Sequence, residues 1–420
     1  MADPQARLRD DARLRELWHL LEPMPVWVTG GYLRDALLER PSCDIDLVVD
    51  SQGAASEAAA RSLESVVGSS AHLIGRPPRA IWRLQSPDTK VDIWPLNGLS
   101  LSEDAARRDF TCNALLWRLP AGPVVDLVGG LEDIAARNLR SISPHNLRED
   151  PVRLLRAARF LAELEGFRLD AATARWLAIL APALNRAPPE RIGQELLAML
   201  RAPAAGVGLV TALRLGLFDH VAPRWSASAS GRLNSLVPAA CALADARRHP
   251  VPATLAVAGD AARIGLLATA WRLIDADEIA AFAWPRDLRL QAYRAASLLE
   301  RFLATATAPA ADRRELIFLS GQAFPAVLAL AGAVAVATGL SRDPWLRWWR
   351  QWLRSGPSLV SPTPLLDGHQ LMKVLDIGPG PEVGSAARDL LRAQVRGRVR
   401  SVAGAVRWLR CQPDLKTAVP

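Results

Sequence analysis

The chain has 420 residues, more than one ordinary core accommodates, so several domains are expected. Half of the residues are apolar, few are aromatic apart from 14 Trp, and Ala, Leu and Arg dominate, as in a helix-rich globular protein. The formal net charge of +8 favours a polyanionic partner, whereas four scattered cysteines (Cys43, Cys112, Cys241 and Cys411) exclude a disulfide scaffold or a zinc spacing and fit a reducing cytoplasm.

From the N-terminus, MADPQARLRDDARLRELWHL is charged throughout and has no apolar core of the signal-peptide kind. Residues 26 to about 130 read as α/β. VWVT (26–29) is a strand, GYLRDALLER a helix, DIDLVV (44–49) a second strand and AASEAAARSLESVV a helix. HLIG, RAIWRLQ and KVDIWP read as short strands, followed by ALLWRL (114–119). Beyond about residue 143 the pattern becomes helical. Pro151 suits the first turn of a helix running to Leu164, and further helices break at Pro182, Pro188-Pro189, Pro203 and Pro223. The Ser-, Ala- and Pro-rich stretch 223–257 reads as a joint. Residues 325–340 are the most apolar window; opening with Pro and shorter than the roughly 18 to 20 residues of a span, they predict a buried helix and no membrane contact. SRDPWLRWWRQWLRS (341–355) predicts a helix capped by Asp343, with Pro344 in its first turn. Trp345, Trp348, Trp349 and Trp352 line its core face, and Arg347, Arg350 and Arg354 lie elsewhere. The last residues, 414–420, are expected to fray.

Three features carry chemistry. The glycines of GGYLRDALL (30–38) stand between a strand and a helix, where backbone N–H groups attract anions, and Arg34 follows one turn later. By itself a double Gly here is commonly no more than a turn. Asp44 and Asp46 alternate with Ile45 in a strand, so both carboxylates face one way, an arrangement that suits Mg²⁺ completed by substrate phosphate oxygens. A third carboxylate, Asp92, sits between Val91 and Ile93.

In this order these pieces resemble the nucleotidyltransferase superfamily that includes DNA polymerase beta. RRDFTCNALL (107–116), DLVGGLEDIAARNLR (126–140), EDPVRLLRAARF (149–160) and PERIGQELLAML (189–200) bring the resemblance closer, to the class II tRNA nucleotidyltransferase and bacterial poly(A) polymerase family. It runs from about residue 26 to 220. It implies an α+β fold with an N-terminal nucleotidyltransferase head, a mixed β-sheet with flanking helices, over 1–143. An all-α remainder follows: a neck (144–220) with a nucleotide-selecting helix, a body (221–355) and a basic, tRNA-binding tail (356–420). It implies that Gly30, Gly31 and Arg34 hold the triphosphate, that Asp44 and Asp46 hold two Mg²⁺ ions, and that Asp92 lies near the attacking 3′ hydroxyl. Arg108 would touch the nucleotide, with Asn113 supporting that turn. Asp150 and Arg153 would read the incoming base, three apart on one helix face; Arg156 and Arg159 would reinforce them, and Glu190 and Arg191 would brace the helix from the neck.

Past residue 220 the resemblance weakens. No His is followed by Asp, so the phosphohydrolase domain of some relatives is not expected. Residues 367–391 resemble a family tail segment, and Arg388, Arg392 and Arg396 recur at i, i+4, suited either to RNA phosphates or to a solvated face. The implied reaction is template-independent addition of C, and possibly A, to a tRNA 3′ end from CTP and ATP. The alternatives are a complete CCA- or A-adding enzyme, a poly(A) polymerase, or a non-catalytic RNA-binding relative. In this family, enzymes that finish CCA or add A carry a flexible loop between the third carboxylate and the second signature. Here IWPLNGLSLSEDAA (93–106) leaves only a turn at Asn97-Gly98 before a helix capped by Ser102, which favours a CC-adding enzyme and implies a separate A-adding partner.

Overall fold

The first strand, β1 (Val26–Thr29), buries Val26 and Val28. In β2 (Asp44–Val49), Ile45 and Leu47 are buried on one face, while the exposed Asp44 and the half-buried Asp46 lie on the other, the alternation that a strand imposes. The computed structural model describes residues 4–75, 80–221, 228–244, 256–271, 277–305, 307–341 and 343–412. Both strands belong to a seven-stranded sheet with β3 (His72–Ile74), β4 (Ile81–Gln85), β5 (Lys90–Pro95), β6 (Leu116–Arg118) and β7 (Val124–Val125), in the order β3-β4-β5-β2-β1-β6-β7. β2 and β5 run parallel, and every other neighbouring pair is antiparallel. The helix Gly30–Leu37 packs on β1 and β2, and Ala54–Ser62 packs on β4. A separate pair, β8 (Asn138–Leu139) with β9 (Arg168–Leu169), flanks the helix Val152–Glu163.

Two compact units result: Met1–Ala187 with Arg214–Val221, and Pro188–Leu213 with Ala222–Pro420. The first holds the sheet and is α+β, as expected. The second is helical throughout its described residues. At its centre lies the helix Phe324–Ala337, against which Ser228–Ala244, Ala256–Trp271 and Arg286–Ala304 pack. By length and composition the run Ala310–Ala337 could cross a membrane, but 78% of its apolar window is buried inside the protein, as in a core helix. Trp345 and Trp348 are also core, with Trp348 4.8 Å from Phe302 and Trp352 4.8 Å from Phe324 between ring centroids. In the tail, helices Gly368–Leu375, Pro381–Val395 and Val402–Arg410 close around Leu371, Leu390, Ala405 and Leu409.

The structure corrects several readings. The stretch 223–257 is no simple joint: Ser228–Ala244 is a 17-residue helix that accommodates Pro238. Close packing explains it, since a Cβ on Gly206 would lie 2.3 Å from Cys241 Sγ. The helix after β5 is capped by Ser100, not Ser102, because Ser100 places Glu103 where the two can cap one another reciprocally. The 54–67 helix divides at Leu63, and the strand read over 114–119 shortens to β6 after a 3₁₀ turn. The Trp helix extends to Val360, past the position taken as the end of the body; the side chain of Asp343 and residues 414–420 lie outside the described residues.

Candidate active site

β1 ends at Thr29, and the chain turns at once into the helix Gly30–Leu37. Gly30 has φ +67°, and a Cβ there would lie 2.2 Å from Asp46 Oδ2, so only glycine permits this approach. Gly31 donates its N–H to the same oxygen at 3.3 Å. Asp46 and Asp92 are register partners on the parallel strands β2 and β5, as are Asp44 and Lys90. All three expected carboxylates therefore meet on one sheet face. Lys90 Nζ lies 2.9 Å from Asp44 and 3.8 Å from Asp92. Arg83, across β4, grips the buried Asp92 through two hydrogen bonds of 2.7 Å. Asp46 has no ion pair among the described residues; burial, then the charge of Asp92, pushes its carboxyl up, against the opposing pull of Arg108 and Lys90. A carboxylate left uncompensated in this way fits a cation and an incoming phosphate.

The second cluster is built on the turn after the helix Leu101–Ala106. Asp104 is buried and takes Arg107 on one oxygen (2.9 Å) and Arg108 on the other (2.8 Å). Arg108 also reaches the Asn113 carbonyl at 3.4 Å. Asp109 is buried as well and pairs with Arg156 at 2.9 Å. Burial alone would raise its carboxyl, but Arg156 and Arg153, with hydrogen bonds from Asn113 and Phe110, hold it down at about 2. Asn113 donates to Asp109 at 3.1 Å and accepts from Arg34 at 2.8 Å. Arg34 is buried and bonds Asp35 on its other nitrogens, so its charge ties this turn to the glycine turn and is not displayed openly.

Asp150 stands one residue before Pro151 and is not within the helix Val152–Glu163, so its closeness to Arg153 (3.7 Å) arises from the junction and not from shared helix turns. Arg153 donates to the carbonyls of Arg107 at 3.1 Å and Asn146 at 3.2 Å. Arg159 pairs with Glu163 at 2.7 Å, and the guanidinium groups of Arg34, Arg156 and Arg159 surround the Phe160 ring at 5.1, 5.3 and 4.4 Å. Downstream, Asp126 receives the N–H groups of Val128, Gly129, Gly130 and Leu131, which holds its carboxyl low against the effect of burial and fixes the DLVGG turn. Glu190 and Arg191 are exposed in the first turn of Pro189–Arg201, in the second compact unit. Arg388 and Arg392 are exposed in that unit, whereas Arg396 is half-buried and pairs with Asp312 and Glu315.

Sequence reading missed Asp104, Asp109, Arg83 and Lys90. Asp104 was within reach of a simple rule, since a carboxylate three and four residues ahead of two arginines pairs with both on a helical turn. Arg83 needed the β4–β5 register, which no local pattern supplies.

Residues 26–140 match the family described as Poly A polymerase head domain, and residues 166–228 match that described as probable RNA and SrmB- binding site of polymerase A. The CC-adding tRNA nucleotidyltransferase of Geobacter sulfurreducens is 33% identical over 94% of this chain and 93% of its own. The A-adding tRNA nucleotidyltransferase of Deinococcus radiodurans is 30% identical over 90% of this chain and 94% of its own. In fold, the chain resembles the Bacillus stearothermophilus CCA-adding enzyme solved in complex with CTP, with TM-score 0.70 and 23% identity over 98% of both chains. Near-complete coverage at such identity, together with a head whose carboxylates and glycine turn converge on one face, means that this chain is an enzyme of the tRNA nucleotidyltransferase family.

Proposed function

We propose that the protein adds C to the 3′ end of tRNA from CTP, with release of pyrophosphate, and stops at CC, leaving the terminal A to a separate enzyme. The observation that carries the CC-only reading is the connection between β5 and the next helix. Only residues 96–100 lie between Pro95 and Leu101. They are tied down: Leu96 and Asn97 donate to the carbonyls of Val49 and Ser51 at 3.0 and 3.1 Å, Asn97 and Gly98 turn with φ of 54° and 86°, and Ser100 and Glu103 cap each other. A lever that re-tunes the site from C to A needs slack, and this segment has none.

Asp44 and Asp46 would hold Mg²⁺. Two carboxylates completed by phosphate oxygens are a usual Mg²⁺ set. When bound, the metal supplies charge stabilisation to a transferring phosphoryl group. The glycine turn brings N–H groups to the triphosphate, and Asp92, oriented by Arg83, lies beside the place where the 3′ hydroxyl attacks. Asp150 would accept from the exocyclic amine of C while Arg153 donates to the neighbouring ring acceptors, an arrangement that disfavours the exocyclic oxygen of U.

A second reading, addition of A, is favoured by the likeness to the A-adding relative, nearly as strong as that to the CC-adding one. Purified protein given tRNA lacking its end, and separately tRNA already ending in CC, with CTP and ATP together, separates the two: extension of the first to CC with the second left unextended supports the first reading, and efficient addition of A to the second refutes it.

A further inference from the structure

Three consecutive backbone carbonyls at the turn before the nucleotide site are all held by side chains from the base-reading segment. Asn146 Nδ2 donates to Ala106 O at 2.7 Å and to Arg108 O at 2.8 Å. Arg153 donates to Arg107 O, between them, at 3.1 Å. The same arginine nitrogen donates to Asn146 O at 3.2 Å. Asn146 is itself buried and anchored, because its N–H is capped by Ser143 Oγ at 3.1 Å. From the other side, Asp104 fixes the side chains of Arg107 and Arg108.

We propose that Asn146 is the positioning residue that fixes the guanidinium of Arg153 and thereby sets which base the enzyme accepts. The inference rests on the reading of Arg153 as a base-reading group. A guanidinium on a flexible stem reads a base edge only if its plane is fixed, since discrimination falls with any freedom to swing. The Asn146 side chain supplies that constraint through the backbone it staples: by holding Ala106 O and Arg108 O it fixes Arg107 O between them, the acceptor of Arg153, while the bond from Arg153 to the Asn146 backbone carbonyl is kept whatever side chain stands there. It contacts no nucleotide in this scheme, so its effect should fall on selectivity and not on the chemical step. The same staple holds Ala106 O, at the end of the helix that follows the 96–100 connection.

The test is single-nucleotide addition to tRNA lacking its end, with CTP and UTP measured separately. Asn146→Ala should raise KM for CTP while largely sparing kcat, and the C-over-U ratio of kcat/KM should fall by about tenfold, within the range expected for one misaligned bidentate reader. In an Arg153→Lys background the same substitution should change the ratio little, because the staple acts on the ratio only through the Arg153 guanidinium. Should the Ala variant not fold, Asn146→Gln keeps the amide but displaces it by one methylene, and the same loss of ratio is expected. A folded variant with an unchanged C-over-U ratio, or a loss fully additive with Arg153→Lys, overturns the proposal. The C-over-U ratio does not depend on whether the wild-type enzyme also adds A, so terminal A addition would refute the CC-only reading and leave this test intact.

Discussion

Asp46 and Asp92 face one another across parallel strands, and among the described residues Asp46 receives a backbone N–H from Gly31 and the pull of the Arg108 and Lys90 charges, with no ion pair. Removing a carboxylate from such a pair should lower turnover and leave the fold in place. Asp44→Ala and Asp46→Ala should each reduce kcat by at least about 10²-fold, the scale for losing a main electrostatic contact in a transition state, with tRNA binding retained in a filter assay. Near-normal turnover in both variants would remove them from the site. Asp109 behaves differently, because its partners are built in. Its carboxyl lies at about 2, below the ordinary 3.8, so its stabilising effect is fully present above about pH 4 and fades as pH falls toward 2. Asp109→Asn should cost about 2 kcal/mol at pH 7 and flatten the fall in stability below pH 4, read from denaturant midpoints across that range. It would also remove the negative charge that faces the Arg156 guanidinium.

At the scale of elements, the short connection after β5 depends on a cap. Ser100→Ala removes one half of the reciprocal capping with Glu103 and should destabilise the protein by about 1 kcal/mol, seen as a lower thermal midpoint. An unchanged midpoint would mean that the neighbouring turn alone holds the segment. This element also shows how far the sequence could be read. The turn at Asn97-Gly98 was legible because Asn and Gly tolerate positive φ. The cap was misplaced by two residues because Ser102 also precedes two acidic residues suited to a first helical turn, yet it would put Ala105 at the third helical position, where no side chain can reach back. β1 was legible as a short run of β-branched and aromatic residues, and β2 and β5 because their apolar residues alternate with or surround the carboxylates. β7, β8 and β9 are two residues each, too short for any period, and are held by their neighbours. The 228–244 helix was hidden by Ser and Pro, whose local preference yields to packing around Gly206 and Cys241. The motif residues could be named from the sequence, and Asp104 lay within reach of a local rule, whereas Arg83, Asp109 and Asn146 meet their partners through strand register and contacts between segments distant in the chain.

At the scale of the whole molecule, the net charge of +8 overstates what is open to RNA, because many arginines serve the fold. In the tail the three at i, i+4 spacing divide. Arg396 is committed to Asp312 and Glu315 on the helix Ala310–Ser320, so its removal should lower stability and scarcely alter RNA affinity. Arg388 and Arg392 stay exposed, Arg392 with only a 3.9 Å approach to Asp389 that solvent screens. Every phosphate they neutralise would release counterions, and so steepen the dependence of binding on salt. Replacing both with Gln should therefore reduce the slope of log affinity for tRNA against log salt by about 1 to 2, with KM for CTP unchanged. The tail has a core of its own, so these two surface changes should leave the thermal midpoint in place, unlike a deletion that would cut through Leu390 and Leu409. An Arg396→Gln variant with the reduced slope, beside an Arg388→Gln, Arg392→Gln variant without it, would reverse the assignment and place the RNA-facing charge at the helix end.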